Sequence, residues 1–281
     1  MKPECRESRE IDPCVRQVDP RMAACQREVF LFADWEEVLF LHFKVAPEML
    51  APFVPRPLEL DLFEGKAYVS LVNLTMRRFL PSKSGSIGAV LRLISRERVL
   101  NLRTYVRLGE ERGAYFIWGW LSQLGSLPLP SGLFGLPYAF ASMDYDHNEA
   151  SRTLHASIVC DRDRFGYQGT VGPGVKAAKC PPKSLAEFAM ERYMGFFNRK
   201  DKVCAFRIWH EPWSQVPFEA SIEENTLIKS KLPWFGQAEL AESNFASGFK
   251  GVWLGKAHDI NRNCKRRVQR RHVLSSFYDM P

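Results

Sequence analysis

Apolar and polar residues along this chain mostly alternate at period two, and the pattern predicts a protein built mainly of strands. The clearest run is Val99-Leu100-Asn101-Leu102-Arg103-Thr104-Tyr105-Val106-Arg107. Leu100, Leu102, Thr104 and Val106 fall on one face, and Asn101, Arg103, Tyr105 and Arg107 on the other. Upstream, Leu39, Leu41, Phe43 and Val45 alternate with Phe40, His42 and Lys44, so His42 faces a pocket or water. Leu58, Leu60 and Leu62 precede Glu64-Gly65, which predicts a hairpin returning through Ala67–Met76. Ala114–Leu121 reads as a strand with Phe116, Trp118 and Trp120 on one parity, and Thr153–Cys160 and Val203–His210 read as further strands.

Helical signals are few. Pro47 opens a short helix that Pro55-Arg56-Pro57 ends. Ser184 and Glu187 form a Ser-x-x-Glu capping box, and Leu185, Phe188, Ala189, Arg192, Tyr193 and Phe196 predict a helix running to about Phe197. Asp34 and Glu37 offer a second box, but the residues after them are strand-like. Residues 81–88 and the glycines at 169, 172 and 174 read as flexible loops. Many short strands and few helices imply an antiparallel barrel or a sandwich-like sheet. Residues 29–260 form a single unit, between a loose extension at 1–28 and a tail at 261–281.

Charge changes this picture little. The tail holds Arg262, Lys265, Arg266, Arg267, Arg270 and Arg271 against Asp279, which leaves 33 basic and 31 acidic side chains in residues 1–260. The body is therefore almost neutral. Contact with nucleic acid is expected only of the tail, which otherwise reads as a solvated terminal extension. No apolar run is long enough for a transmembrane helix, and the N-terminus lacks the apolar stretch of a signal peptide, so a cytoplasmic protein with no membrane partner is the expectation. A homo-oligomer is compatible with the composition.

Known catalytic signatures fail one by one. Cys5, Cys14, Cys25, Cys160, Cys180, Cys204 and Cys264 are odd in number and contain no Cys-x-x-Cys pair, which argues against a disulfide framework and a zinc knuckle. His210-Glu211-Pro212-Trp213 begins like a zinc-protease motif, but lacks the second histidine and carries a proline. The six histidines have no ligand spacing, so no metal is expected, and no cofactor fingerprint is present. Trp118, Trp120, Trp209 and Trp213 read as core. Glu191 and Arg192 on a helix flank read as an ordinary ion pair.

Several segments together resemble a known family. They are Leu39-Phe40-Leu41-His42-Phe43-Lys44-Val45, Asn101-Leu102-Arg103-Thr104-Tyr105-Val106, Leu136-Pro137-Tyr138, Glu191-Arg192-Tyr193 and His210-Glu211-Pro212-Trp213. Their order and spacing resemble the YqjF-like family of unknown function, grouped with the acetoacetate decarboxylase-like superfamily. The resemblance covers about residues 30–260. It implies a mainly antiparallel α+β domain, an acetoacetate decarboxylase-like barrel with a central cavity and a few covering helices. The chain departs from the pattern twice. Val99 stands where the family usually has an acidic residue, and Tyr138 where the decarboxylases have a lysine. A phenol cannot form an imine, so Schiff-base decarboxylation is not expected. Lys176 and Lys179, in a solvated loop, are poor nucleophiles.

Two functional expectations follow. In the first, a cavity binds a small anionic or keto-acid-like ligand. Arg103 supplies the charge there, Asn101, Tyr105 and Tyr138 supply hydrogen bonds, and His42 and Glu191 complete the candidate site. In the second, a lyase or isomerase acts on a small carbonyl compound, with His42, Tyr138 or Glu191 as acid or base beside Arg103.

Overall fold

The computed structural model describes residues 29–81, 96–123, 136–148 and 152–260. The expected N-terminal extension and basic tail, and most of the 81–88 loop, lie outside them. Strand β1 (Val29–Val45) is followed by the one-turn helix α1 (Pro47–Leu50), then β2 (Glu59–Leu60) and β3 (Ala67–Pro81). β4 (Arg96–Leu108), β5 (Glu111–Leu121), β6 (Tyr138–Phe140), β7 (Ser142–Asn148), β8 (Thr153–Cys160) and β9 (Asp163–Thr170) come next. After β10 (Ala178–Lys179) the chain forms α2 (Leu185–Met190), β11 (Met194–Arg199), β12 (Lys202–Trp209), β13 (Ser214–Pro217) and β14 (Glu219–Glu224). The last elements are α3 (Thr226–Lys229), β15 (Glu239–Gly255) and β16 (His258–Asp259). The fold is thus mostly strand with few helices, as the alternation predicts.

The larger sheet runs β10-β13-β15-β1-β3-β4-β5-β11-β12-β16, with β2 on β4 and β6 on β5. β12 also pairs with β15 through Ile208↔Leu254 and Trp209↔Trp253. A second sheet has the order β14-β9-β8-β7. The expected apolar parity is observed. Leu39, Leu41 and Phe43 of β1, Leu71 of β3, and Leu100 and Leu102 of β4 pack with Ala156, Ile158, Phe165 and Tyr167 of the second sheet. Each large apolar side chain buried in this way contributes about 1.5–3 kcal/mol. The opposite face of β1, β3 and β4 is also covered: Val38, Phe40, Val72, Leu74 and Val99 pack with Ala186, Met190 and Trp213.

Four local expectations need correction. The helix from Ser184 stops at Met190, not Phe197. Ser184 caps it by accepting from Glu187 N–H at 3.1 Å. Glu191 then turns out of the helix at φ −82, ψ 65, and Arg192 N–H reaches the Met190 carbonyl at 2.9 Å, the form of an inverse γ-turn. The residues that follow, Met194-Gly195-Phe196-Phe197, gain a strand on each side, pairing with β12 and, in parallel, with β5. Tertiary pairing thus overrides the helical spacing. The Glu64-Gly65 turn forms, with φ 50 and 72, but β2 pairs with Arg107 and Val106 of β4 instead of with the return strand. Finally, a bulge opposite Leu102/Arg103 pairs Trp118 with Leu102 and Phe116 with Arg103. The aromatic residues of β5 therefore divide between faces: Trp118 and Trp120 join the inter-sheet core, and Phe116 packs with Phe197 and Phe206. Gly169, expected in a loop, lies in β9.

Candidate active site

Register brings the polar face of β4 into line with distant segments. Glu242, His42, Ser70, Arg103 and Phe116 are neighbours across β15, β1, β3, β4 and β5. The adjacent row is Asn244, Phe40, Val72, Asn101, Gly119 and Tyr138. Four of the six sequence-predicted residues, His42, Asn101, Arg103 and Tyr138, therefore stand in two neighbouring rows. Tyr105 follows two residues after Arg103 on the same face.

Gly119 makes the Tyr138 position possible. A Cβ at Gly119 would stand 1.8–2.8 Å from ring atoms of Tyr138. The ring lies across the bare glycine, and its hydroxyl donates to Asn101 Oδ1 one strand further on. Burial raises the Tyr138 phenol above its usual range, with Arg103 opposing, so the proton stays on the oxygen at neutral pH.

Beside this pair lies a chain of three fully buried groups. His42 Nδ1 is 2.7 Å from Ser70 Oγ, and Ser70 Oγ is 2.5 Å from the Tyr105 hydroxyl. Burial, and then the nearby Arg103 charge, bring the His42 imidazole down to about 3, while Asn244 acts in the opposite sense. The Asn244 contact is looser than an ordinary hydrogen bond, because His42 Nε2 and Asn244 Oδ1 both lack a partner at normal distance. Asn244 Nδ2 donates to Gln215 Oε1 at 3.0 Å and Glu242 Oε1 at 2.9 Å. Its oxygen is left as an acceptor, which suits a proton on His42 Nε2. Ser70 then donates to Nδ1, and Tyr105 donates to Ser70.

Arg103 is held differently. Nη2 donates to the Ala189 carbonyl of α2 at 3.1 Å. The guanidinium lies 5.5 Å from the Phe40 ring centroid and 5.8 Å from that of Tyr105. Nε is buried without a hydrogen-bond partner. Among the described residues no carboxylate forms an ion pair with Arg103. Its charge acts on His42, Tyr138 and His210 alike, lowering the pKa of each.

His210 belongs to this group, although the sequence reading gave it no site role, taking its segment as a failed metal motif and as part of the family resemblance. Burial lowers it to about 4, and Nδ1 lies 2.7 Å from the Glu211 carbonyl, which fixes the proton there. Its ring stacks on Phe249 at 5.0 Å and 11°. Glu191 does not join the Arg103 group. Its carboxylate accepts from the Trp213 backbone N–H at 2.8 Å and from the Tyr193 hydroxyl, tying the end of α2 to the 210–213 segment. The structure also corrects the surface-pair reading of Arg192. Arg192 is buried, donates to Asp61 at 2.6 Å and to the Phe188 carbonyl at 2.5 Å, and lies 5.2 Å from the Tyr105 ring centroid. No group of three or more metal-ligating side chains occurs among the described residues, and no described helix is long and apolar enough to cross a membrane.

The fold that carries these residues belongs to a recognisable class. An acetoacetate decarboxylase-like enzyme from Sphingomonas wittichii RW1 superposes with a TM-score of 0.59 at 14% identity, covering 83% of this chain and 94% of that one. The enduracididine biosynthesis enzyme MppR, complexed with pyruvate, gives 0.57 at 14% identity, over 82% and 90%. At these identities the likeness establishes the fold, which is acetoacetate decarboxylase-like. Within that class the chain belongs to the DUF2071 family, described as an uncharacterized conserved protein, whose model matches residues 33–239. It is 29% identical to the uncharacterized protein YqjF of Bacillus subtilis (strain 168) over 201 residues, 69% of this chain and 78% of that protein.

Proposed function

We propose that this protein binds a small carboxylate, of the 2-keto-acid type, on the polar face of β4. The observation that carries this reading is Arg103, a half-buried cation with no carboxylate partner among the described residues. A buried cation is normally paired, and an anionic ligand would supply the missing charge. Arg103 Nε and Nη1 are the donors left for that carboxylate. The amide nitrogen of Asn101, whose oxygen is taken by Tyr138, would donate to a keto oxygen. A neighbour of the same fold was obtained with pyruvate, which makes pyruvate the first compound to try. Schiff-base chemistry has no support, since no described lysine is buried and position 138 is a tyrosine. Ligand-observed NMR on the full chain, with matched neutral, cationic and carboxylate compounds, tests the reading. Saturation transfer to carboxylates alone is expected, and equal transfer to all three classes contradicts it.

A second reading, proton transfer on the bound ligand, is favoured by the His42–Ser70–Tyr105 chain, whose hydrogen bonds can reverse together. Glu191 takes no part in it, being held by Trp213 and Tyr193. Loss of turnover in Ser70→Ala with ligand binding retained is the expected result. Turnover unchanged by that substitution would remove the relay.

A further inference from the structure

A carboxylate would occupy Arg103, and the side chains that lead away from Arg103 indicate the rest of the ligand; this inference rests on the carboxylate-binding reading above. Arg103 stands between two aromatic residues. Its guanidinium lies 5.5 Å from the Phe40 ring centroid, and Phe116 is its register partner on β5. Each of these rings meets another. Phe40 packs edge-on to Trp213 at 5.0 Å, and Phe116 stacks with Phe206 at 5.8 Å. Trp213 in turn lies 4.6 Å from Phe249 and 4.8 Å from His210, and stacks with Trp35 at 6.4 Å.

Register assembles the far end of this lining. Phe249, Trp35 and Met76 form one row across β15, β1 and β3. Trp35, Met76, Phe249 and Tyr138 all pack against two separate groups of buried side chains, one containing Phe116 and Phe206 and the other Phe40 and Trp213. They join the two groups, yet each keeps part of its surface exposed. A closed core would bury all four. Trp35 Nε1 is buried without a hydrogen-bond partner among the described residues, although an indole N–H normally finds one when buried.

We propose that the ligand is an aryl-substituted 2-keto acid, its carboxylate on Arg103 and its ring against Trp35, Met76, Tyr138 and Phe249. Walls of aromatic side chains with a few polar groups at one end are the usual chemistry of a small-molecule site. Rings stacked or set edge-on gain attraction beyond the area they bury, and the methionine thioether adapts to a ring edge. The methyl group of pyruvate would leave these walls uncovered. Pyruvate is then the head of the ligand and not the whole of it.

The test is isothermal titration calorimetry on the full chain with pyruvate, phenylpyruvate and phenylacetone, the last being phenylpyruvate without its carboxylate. Phenylpyruvate is expected to bind at least roughly tenfold more tightly than pyruvate, from the burial of one ring, and more tightly than phenylacetone by a similar factor. Phe249→Leu keeps an apolar side chain and removes the ring. It is expected to narrow the preference for phenylpyruvate several-fold while leaving pyruvate affinity unchanged. Phenylpyruvate bound within threefold of pyruvate, or more weakly, overturns the aryl assignment and leaves the carboxylate site standing. A preference unchanged in Phe249→Leu overturns the placement of the ring on this lining. Phenylacetone bound as tightly as phenylpyruvate, or failure of both keto acids to bind, overturns the carboxylate reading itself.

Discussion

Arg103 and Arg192 lie against the same Tyr105 ring, at 5.8 and 5.2 Å from its centroid, and differ in almost everything else. Arg192 has a carboxylate at 2.6 Å and a backbone carbonyl at 2.5 Å. It joins α2 to the segment just after β2, and burial lowers its pKa, with Asp61 opposing. Arg103 has one carbonyl bond to α2 and, among the described residues, no carboxylate. An arginine whose charge is met inside the chain is part of the framework. One without a carboxylate among the described residues is the one proposed to take a ligand. The contrast separates the arginine that ties α2 to Asp61 from the one proposed to meet a ligand.

The largest effect is expected from breaking the paired arginine. Asp61→Asn leaves the Arg192 charge buried and should cost about 3–5 kcal/mol of unfolding free energy, read from urea denaturation. A loss below about 1 kcal/mol would place the pair among surface bridges.

Next in size is the pH dependence of the neutral histidines around and behind the site. His42, His147 and His210 are lowered to about 3, 4 and 4, each chiefly by burial. Between those values and the ordinary value of 6.5 the unfolded chain binds more protons than the folded one, so stability rises with pH in this window. It is lost as pH falls from about 7 towards 4. The urea midpoint should drop steeply over that range, and less steeply in His147→Gln, which removes one of the three titrations. A flat midpoint from pH 7 to 4 would mean that these imidazoles are not buried as neutral groups.

Smaller still is Gly119→Ala. The added Cβ meets the Tyr138 ring at 1.8 Å, and displacement of the ring should cost about 1–3 kcal/mol together with the Tyr138–Asn101 hydrogen bond. Tyr138→Phe in the same background should restore nothing, because the clash is with ring carbons. Restored stability in that double variant would point to the hydroxyl instead. The smallest expected effect is a null one. Treatment with a β-keto acid and borohydride should leave no reduced adduct on any lysine, and a stoichiometric adduct would show that a lysine reaches the site.

The legible part of this contrast was the side of β4 on which Arg103 lies. Period-two alternation assigns each residue of a strand to a face from sequence alone, and Asn101, Arg103 and Tyr105 keep the parity expected of them. Partnership across distance was not legible. Asp61 and Arg192 are 131 residues apart, and nothing local distinguishes a buried pair of this kind from a helix-flank pair. The end of α2 was misread because Tyr193 and Phe196 continue a helical spacing that the pairing of β11 with β5 and β12 overrules. The bulge that turns Phe116 to the Arg103 face leaves no mark in the order of residues. His210 was given no site role because its segment failed as a metal motif and entered only the family resemblance, although its proximity to Trp213 foreshadowed the aromatic packing it makes at 4.8 Å.

The central claim, that Arg103 is reserved for a ligand while Arg192 serves the fold, is tested most directly by titrating pyruvate into wild type and Arg103→Gln by calorimetry, with thermal unfolding of both proteins alongside. The account predicts that Arg103→Gln loses pyruvate binding by at least roughly tenfold, the loss of a charge-assisted bond of about 1.5–3 kcal/mol, while unfolding within a few degrees of wild type. Pyruvate bound equally by both proteins would contradict it, as would an Arg103→Gln protein as unstable as Asp61→Asn.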